Sequence, residues 1–216
     1  IWLVNKPAGL PVDAPEGDSL LARARLAAQG TEAAPRLCHR LDTGTSGLVL
    51  LACSDSVESL LTNLIRRRAL QKEYLCVTFG RPAPADAVLG GYLIKDAQKG
   101  IVQILPRRAK GAKPVETRYQ TLAVSGRLAL LQVQLITGRT HQIRAHMASI
   151  GCPILGDSKY GNNAANREFH FRYQALCAWR LSFPNLSDPE LAGVSGRTFA
   201  LPEPWYCDQV RRGELK

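Results

Sequence analysis

Two consecutive segments carry the clearest hydrophobic patterns in the chain. Gly47–Cys53 is a continuous apolar run, which predicts a strand buried on both faces. The next segment opens with Asp55-Ser-Val-Glu58, which fits a capping box with Asp55 as its first residue. Apolar positions at helical spacing over residues 60–65 continue it as a helix. Three arginines, at 66–68, complete its last turn, where they complement the helix dipole.

Most of the other apolar stretches predict strands. They cover residues 1–4, 72–79, 115–124, 128–136, 174–184 and 197–201, with two short strands inside 92–105. Two further helices are expected, one from Asp18 or Ser19 to Gln29 and one from Thr137 or Thr140 to Ile150. The order of elements shows no regular strand–helix–strand alternation. The pattern therefore predicts an α+β fold with a largely antiparallel sheet and flanking helices.

Composition and charge narrow the class of protein. The chain has 216 residues, and 28 Lys and Arg against 18 Asp and Glu give a formal charge of +10, which suits a polyanionic partner such as a nucleic acid. Six cysteines without metal-ligand spacing are expected to be reduced, mostly buried thiols of a cytoplasmic protein. Neither a signal peptide nor an apolar run long enough for a membrane is expected. With no break in composition, residues 1–216 are expected to form one domain. The start at Ile1 suggests missing upstream residues.

The most distinctive chemical stretch is His39–Ser46, HRLDTGTS. Asp-Thr-Gly at 42–44 is typical of an aspartic protease, but that chemistry requires two carboxylates that share a proton. The chain has one such triplet and no internal repeat. A cation at Arg40, two residues away, would hold the carboxyl group ionised, which disfavours a shared proton. Taken alone, Asp42 is best explained as a turn residue that caps its own backbone.

Four further stretches change this interpretation. With HRLDTGTSGLVLLA at 39–52, they are NKPAGLPV at 5–12, KEYLCV at 72–77, LITGRTHQIRAHMASIGCPILGDSKYG at 135–161 and QALCAWRLSFPNL at 174–186. Taken together, and in their order along the chain, these five stretches resemble the motifs of the RluA-type pseudouridine synthases. One departure is Cys177, where relatives often have His. The resemblance implies the pseudouridine synthase fold, an α+β fold with a largely antiparallel mixed sheet, flanking helices and a central active-site cleft. Many members of this family carry a small S4-like RNA-binding domain before the catalytic domain.

The resemblance implies an isomerase that converts uridine in RNA to pseudouridine, with no metal and no organic cofactor. Asp42 carries over as the essential carboxylate, acting either at C6 of the base or at C1′ of the ribose. Arg144 carries over as its cationic partner, and the alternative for Arg144 is a solvated helix face. Tyr74 carries over as the residue that stacks on the target base and transfers a proton at C5. Leu155 carries over as an apolar base contact, and its alternative is plain core.

The remaining candidates concern RNA binding. A target base must leave its stack before it can react, and Arg40 could fill the vacated position. Further substrate-binding candidates are His39, Thr45 and Arg139, and for His39 a structural hydrogen bond is the alternative. The basic loop at 106–114 is a candidate phosphate contact. The partner is expected to be ribosomal RNA of the large subunit, or tRNA, rather than DNA or a membrane, and the protein is expected to be a monomer. An RNA-binding module without catalysis is the second hypothesis.

Overall fold

The computed structural model describes residues 1–215 as two compact units. The first unit contains Ile1–Lys72 and Ala178–Pro202. The second contains Glu73–Cys177 and the described residues from Glu203 onward. Both combine helices with antiparallel strand pairs, which confirms the predicted α+β class. Within residues 1–215, no helix is long and apolar enough to cross a lipid bilayer.

The strands of the first unit surround a central buried strand. The elements are β1 (Trp2–Lys6), β2 (Arg36–Leu37), β3 (Ser46–Ala52), β9 (Leu176–Ser182, which begins in the second unit) and β10 (Thr198–Ala200). β3 pairs antiparallel with β1, with Lys6 opposite Gly47, and also with the short β2. Leu48 to Ala52 are all buried, so the continuous apolar run is a strand covered on both faces, as predicted.

Two helices complete the first unit, α1 (Leu20–Ala27) and α2 (Asp55–Arg66), with a short 3-10 helix at Pro189–Leu191. The α2 side chains Val57 and Leu61 pack in one core cluster with alternate residues of β3. Complete burial of Leu61 contributes about 1.5–3 kcal/mol. The expected cap at Asp55 is wrong by one residue. Ser54 has the extended backbone of a cap, and its side chain accepts a hydrogen bond from the Val57 amide.

The second unit is built on a sheet of mostly long strands. Its strands are β4 (Gln71–Phe79, whose first two residues belong to the first unit), β5 (Asp86–Asp96), β6 (Ile101–Leu105), β7 (Lys113–Ser125) and β8 (Leu128–Leu135). They lie in the order β4–β8–β7–β5–β6. Its helices are α3 (Gln142–Ser149), α4 (Asn163–Glu168) and α5 (Trp205–Arg211), of which only α3 was expected.

Helix α3 begins differently from the prediction. Its first turn is preceded by His141, which has a left-handed backbone with φ of 55°, rather than by a threonine cap. The Thr137 hydroxyl instead donates a hydrogen bond to the side-chain oxygen of Gln142 at 2.8 Å. Residues Gln142 to Met147 are all buried, so the helix has no solvated face over these turns. Ile150, the expected last residue of the helix, lies after its observed end at Ser149 and is 36% exposed.

Candidate active site

The Asp42 loop belongs to the first unit and forms a tight turn before β3. The Thr45 amide donates to the Asp42 carbonyl at 3.0 Å, which closes the turn. Thr45 is buried, whereas Asp42 is only partly buried and Thr43 is exposed. The Gly9 amide donates to the Thr43 carbonyl at 2.8 Å, which attaches the loop to the Asn5–Gly9 turn after β1. The Asp42 carboxyl group therefore stands on a backbone that is fixed at both ends.

Lys6 is the unexpected component of this loop. Its side chain is fully buried, and its ammonium group donates to the carbonyls of Pro7 at 2.8 Å, Leu10 at 2.7 Å and Thr43 at 3.1 Å. Burial lowers the pKa of Lys6 from 10.5 to about 8, and attraction to Asp42 opposes that shift. The lysine thus holds the loop backbone and contributes positive potential at the Asp42 carboxyl group.

The residues just before Asp42 divide into a half-buried position, His39, and an exposed one, Arg40. The His39 imidazole accepts a hydrogen bond from the Leu50 amide of β3 at 3.0 Å. Burial, with a smaller effect of Lys72, lowers the pKa of His39 to about 3, so the ring is neutral at physiological pH. This is the structural hydrogen bond given as one alternative for His39. Arg40 is exposed beside the Asp42 turn.

Gly47 is required where the loop enters β3. Its φ is 111°, and a Cβ built there would lie 2.3 Å from the Ala178 carbonyl oxygen of β9. Any side chain would force β3 and β9 apart within the first unit, so the close contact that positions the loop depends on this glycine.

Arg144 belongs to the second unit and is buried on α3, with 5% of its side chain exposed. Its guanidinium group donates from Nε to Oδ2 of Asp157 at 2.6 Å and from Nη2 to Oδ1 at 2.9 Å. Burial raises the pKa of Asp157, but the hydrogen bonds and charge of Arg144 outweigh that effect and lower it overall. The expected alternative, a solvated face for Arg144, is therefore wrong.

The turn after Asp157 encloses the same guanidinium group. Asp157 Oδ1 also accepts from the amides of Lys159 at 2.9 Å and Tyr160 at 3.1 Å. The Tyr160 ring lies 5.1 Å from the guanidinium carbon of Arg144 in a cation–π contact. The Tyr160 hydroxyl accepts from the Val102 amide at 2.7 Å and contacts His141 Nδ1 at 2.9 Å. Carboxylate, ring and backbone together fix the direction of Arg144.

Gln142 ties the start of α3 to the sheet of its unit. Its side-chain oxygen accepts from Thr137 Oγ1 and from the Arg139 amide at 3.1 Å, and its nitrogen donates to the Glu116 carbonyl at 3.0 Å and to Thr117 Oγ1 at 2.9 Å. All the hydrogen-bonding positions of one buried amide are thus used. The helix that carries Arg144 is fixed to β7, while the Arg139 side chain is exposed in the preceding loop.

Tyr74 and Leu155 are both buried in the second unit. Tyr74 lies on β4 and is 6% exposed, and Leu155 is fully buried. The Leu155 amide donates to the Val77 carbonyl at 2.9 Å, and its carbonyl accepts from the Ala175 amide at 2.8 Å. Burial of Leu155 agrees with the core alternative, and the base contacts of Leu155 and Tyr74 stay predictions. Lys6, Gln142, Asp157 and Tyr160 were not singled out, although all four lie inside the quoted motifs.

Comparison with known proteins identifies the family. The family model described as RNA pseudouridylate synthase matches residues 1–149. An uncharacterized RNA pseudouridine synthase of Chloroflexus aurantiacus is 37% identical over 165 residues, which are 73% of this chain and 51% of that protein. The ribosomal large subunit pseudouridine synthase D of Nitrosomonas europaea is 33% identical over 192 residues, 83% of this chain and 54% of that protein.

A solved structure, human RNA pseudouridylate synthase domain containing 4, is 26% identical. It superposes with a TM-score of 0.77 over 98% of this chain and 88% of that one. Human RNA pseudouridylate synthase domain containing 1 shares the fold, with a TM-score of 0.73 at 22% identity over 99% of this chain and 91% of that one. The chain spans about half the length of the sequence relatives described above. The chain belongs to the RNA pseudouridylate synthase family, as an RluA-type member.

Proposed function

We propose that this chain isomerises uridine to pseudouridine in RNA, with Asp42 as the essential carboxylate and both units forming one catalytic domain. The observation that carries the proposal is the family match over residues 1–149, which includes Asp42, Tyr74 and Arg144. The buried setting of Arg144 supports it, because a guanidinium group fixed by Asp157 and Tyr160 can direct its remaining donors towards one anionic group.

The reaction breaks the N1–C1′ bond, turns the base and forms a C5–C1′ bond, so the proton at C5 is released and N1 gains one. Asp42 acts at C6 or at C1′, and both roles require an ionised carboxylate. The buried ammonium of Lys6 is attracted electrostatically to Asp42. Tyr74 accepts the C5 proton, and Arg40 fills the position that the flipped base leaves. His39, Thr45, Arg139 and Leu155 complete the proposed substrate-binding set. No metal or organic cofactor takes part.

For the RNA target, we propose large-subunit ribosomal RNA. Support comes from relatives that are named ribosomal large subunit pseudouridine synthases, such as those of Nitrosomonas europaea and Rickettsia bellii. The formal charge of +10 suits such a polyanion. We further propose that the protein acts as a cytoplasmic monomer. Transfer RNA is the competing target.

The activity is tested by incubating the protein with RNA that carries tritium at C5 of uridine. Tritium release into water is expected with large-subunit ribosomal RNA. Binding without release from any cellular RNA would instead indicate an RNA-binding module that lacks catalysis. Pseudouridine mapping in a deletion strain and its parent then identifies the target, and loss of a site in tRNA alone would overturn the ribosomal assignment.

A further inference from the structure

An exposed aromatic stack lies on the second unit, outside the residues of the candidate active site. Trp205, the first residue of α5, is 61% exposed, which is unusual for the largest apolar side chain. Its indole ring stacks on the half-buried ring of Phe171, with centroids 5.3 Å apart and planes 21° apart. We call this pair the aromatic platform. Tyr173, 37% exposed, follows with the guanidinium group of Arg172 5.3 Å from its ring centroid.

The aromatic platform is held rigidly. The buried ring of Tyr206 meets the Trp205 ring edge-on, with centroids 5.8 Å apart. The Tyr206 hydroxyl donates to the Leu75 carbonyl of β4 at 3.3 Å. One indole face is covered by Phe171 and one edge by Tyr206, so most of the exposed area belongs to the opposite face. A rigid ring with a free face binds a flat partner at little cost in conformational entropy.

The aromatic platform also adjoins the residues that enclose the Arg144 guanidinium group. We call these residues, Asp157 and Tyr160, the Arg144 cage. The backbone at Phe171–Tyr173 packs on Gly156, where a Cβ would lie 2.1 Å from the Tyr173 carbonyl oxygen and 3.0 Å from Phe171 Cβ. Gly156 immediately precedes Asp157, the carboxylate partner of Arg144. The segment that presents the aromatic platform therefore rests on the turn that holds Arg144.

The charges around the aromatic platform favour an anionic partner. Four arginines and four carboxylates lie on α4, on α5 and in the segments that flank them: Arg167, Arg172, Arg211 and Arg212, against Glu168, Glu203, Asp208 and Glu214. Three of the carboxylates are paired, because Glu168 pairs with Arg127 of the β7–β8 turn and both Glu203 and Asp208 pair with Arg211. Arg167, Arg172 and Arg212 are exposed, against the exposed Glu214, so the exposed charge outside these pairs is positive.

We propose that the aromatic platform stacks an unpaired base of the substrate RNA, outside the target uridine, while Arg172 contacts the adjoining backbone. The proposal rests on RNA being the substrate. Every base has a flat π face, so such a site binds single-stranded RNA with little sequence preference. The platform thereby anchors a nucleotide beside the turn that positions Arg144.

Tryptophan fluorescence tests this directly, because a stacked base quenches indole emission. The chain has three tryptophans, Trp2, Trp179 and Trp205. The probe is a single-stranded oligouridylate of about twelve nucleotides at low salt. We expect quenching in the parent protein and in the matched control Trp2→Phe, and none in Trp205→Phe. By fluorescence anisotropy of a labelled RNA, Trp205→Ala is expected to bind about 5- to 150-fold more weakly, whereas Trp205→Phe stays within about threefold.

Other outcomes overturn the inference. Equal affinity of Trp205→Ala and the parent protein would do so, as would quenching that persists in Trp205→Phe. A parent dimer that Trp205→Ala converts to monomer in sedimentation would assign the surface to a second copy of the chain. An unchanged urea midpoint for Trp205→Ala shows that lost binding is not lost folding. Tritium release by the parent protein reports on the proposed activity independently, so a failed platform and a failed activity are distinguished.

Discussion

The buried pair Arg144–Asp157 offers the sharpest structural prediction, through the substitution Asp157→Ala. The carboxylate receives two guanidinium hydrogen bonds, of 2.6 and 2.9 Å, and two backbone amide hydrogen bonds. Its removal leaves a cation that is 95% buried without this partner. Breaking one side of a buried ion pair costs about 3–5 kcal/mol. Asp157→Asn retains one acceptor oxygen but loses the charge and the second acceptor, so about 1.5–3 kcal/mol is expected.

Urea denaturation measures this cost. The unfolding midpoints of variant and parent are compared, provided that the dependence of the free energy of unfolding on urea concentration is the same in both. For a chain of this length, Asp157→Ala corresponds to a fall of about 6–20 °C in the melting temperature. Asp18→Asn is a matched control, because Asp18 also receives Nε and Nη2 of one arginine, Arg23, with the Nε distance at 2.7 Å. That pair is more than half exposed, so no measurable shift in the midpoint is expected.

The pH dependence supplies a second readout. The pKa of Asp157 lies below its ordinary value of 3.8 in the folded protein, so this group stabilises the fold above that value. The stabilisation is lost as pH falls through the lower, folded pKa. Asp157→Asn should therefore lose stability less steeply than the parent below about pH 4. If Asp157→Ala unfolds at the parent's urea midpoint, the reasoning about the Arg144 cage is refuted.

Three other predictions follow from the same geometry. Lys6→Met removes a group whose folded pKa, about 8, is below its unfolded value of 10.5. The free energy of unfolding of the parent, measured relative to that of the variant, should therefore rise by about 2 kcal/mol between pH 8 and 10, and a difference that does not change with pH would contradict the assignment. Gly47→Ala should yield mainly insoluble protein, whereas Gly30→Ala, with open space at its Cβ, should stay soluble; a soluble, parent-like Gly47→Ala would be inconsistent with the close contact to Ala178. Neutralising Arg107, Arg108 and Lys110 should reduce the salt dependence of single-strand RNA binding by about two units of log–log slope, and an unchanged slope would exclude this loop as a phosphate contact.

The sequence predicts strands well where burial alone determines them. The run from Gly47 to Cys53 and the alternation along β7 both follow from apolar periodicity, and both were found within two residues of the expected bounds. Helices α4 and α5 were missed because they have six and seven residues, too short for an amphipathic period to emerge. The caps of α2 and α3 were misplaced because competing polar residues adjoin the true ones.

The candidate site shows a different limit. Asp42, Arg144 and Tyr74 could be selected from the motifs, but the residues that hold them could not. Lys6 resembles a surface lysine next to a proline, and only the fold reveals three carbonyls around its ammonium group. For Arg144 on α3, the sequence left a solvated helix face open as an alternative. Gln142 and Arg144 are instead buried and held by long-range hydrogen bonds, which periodicity cannot indicate.

The central claim is that Asp42 carries out the isomerisation. Its most direct test is tritium release from C5-tritiated ribosomal RNA by the parent protein, by Asp42→Asn and by the exposed control Asp13→Asn. Asn and Asp side chains have nearly the same shape, so Asp42→Asn should retain folding and RNA binding. Its rate of tritium release should fall by at least about 10⁴-fold. Asp13→Asn should match the parent. Release by Asp42→Asn at the parental rate would contradict the account.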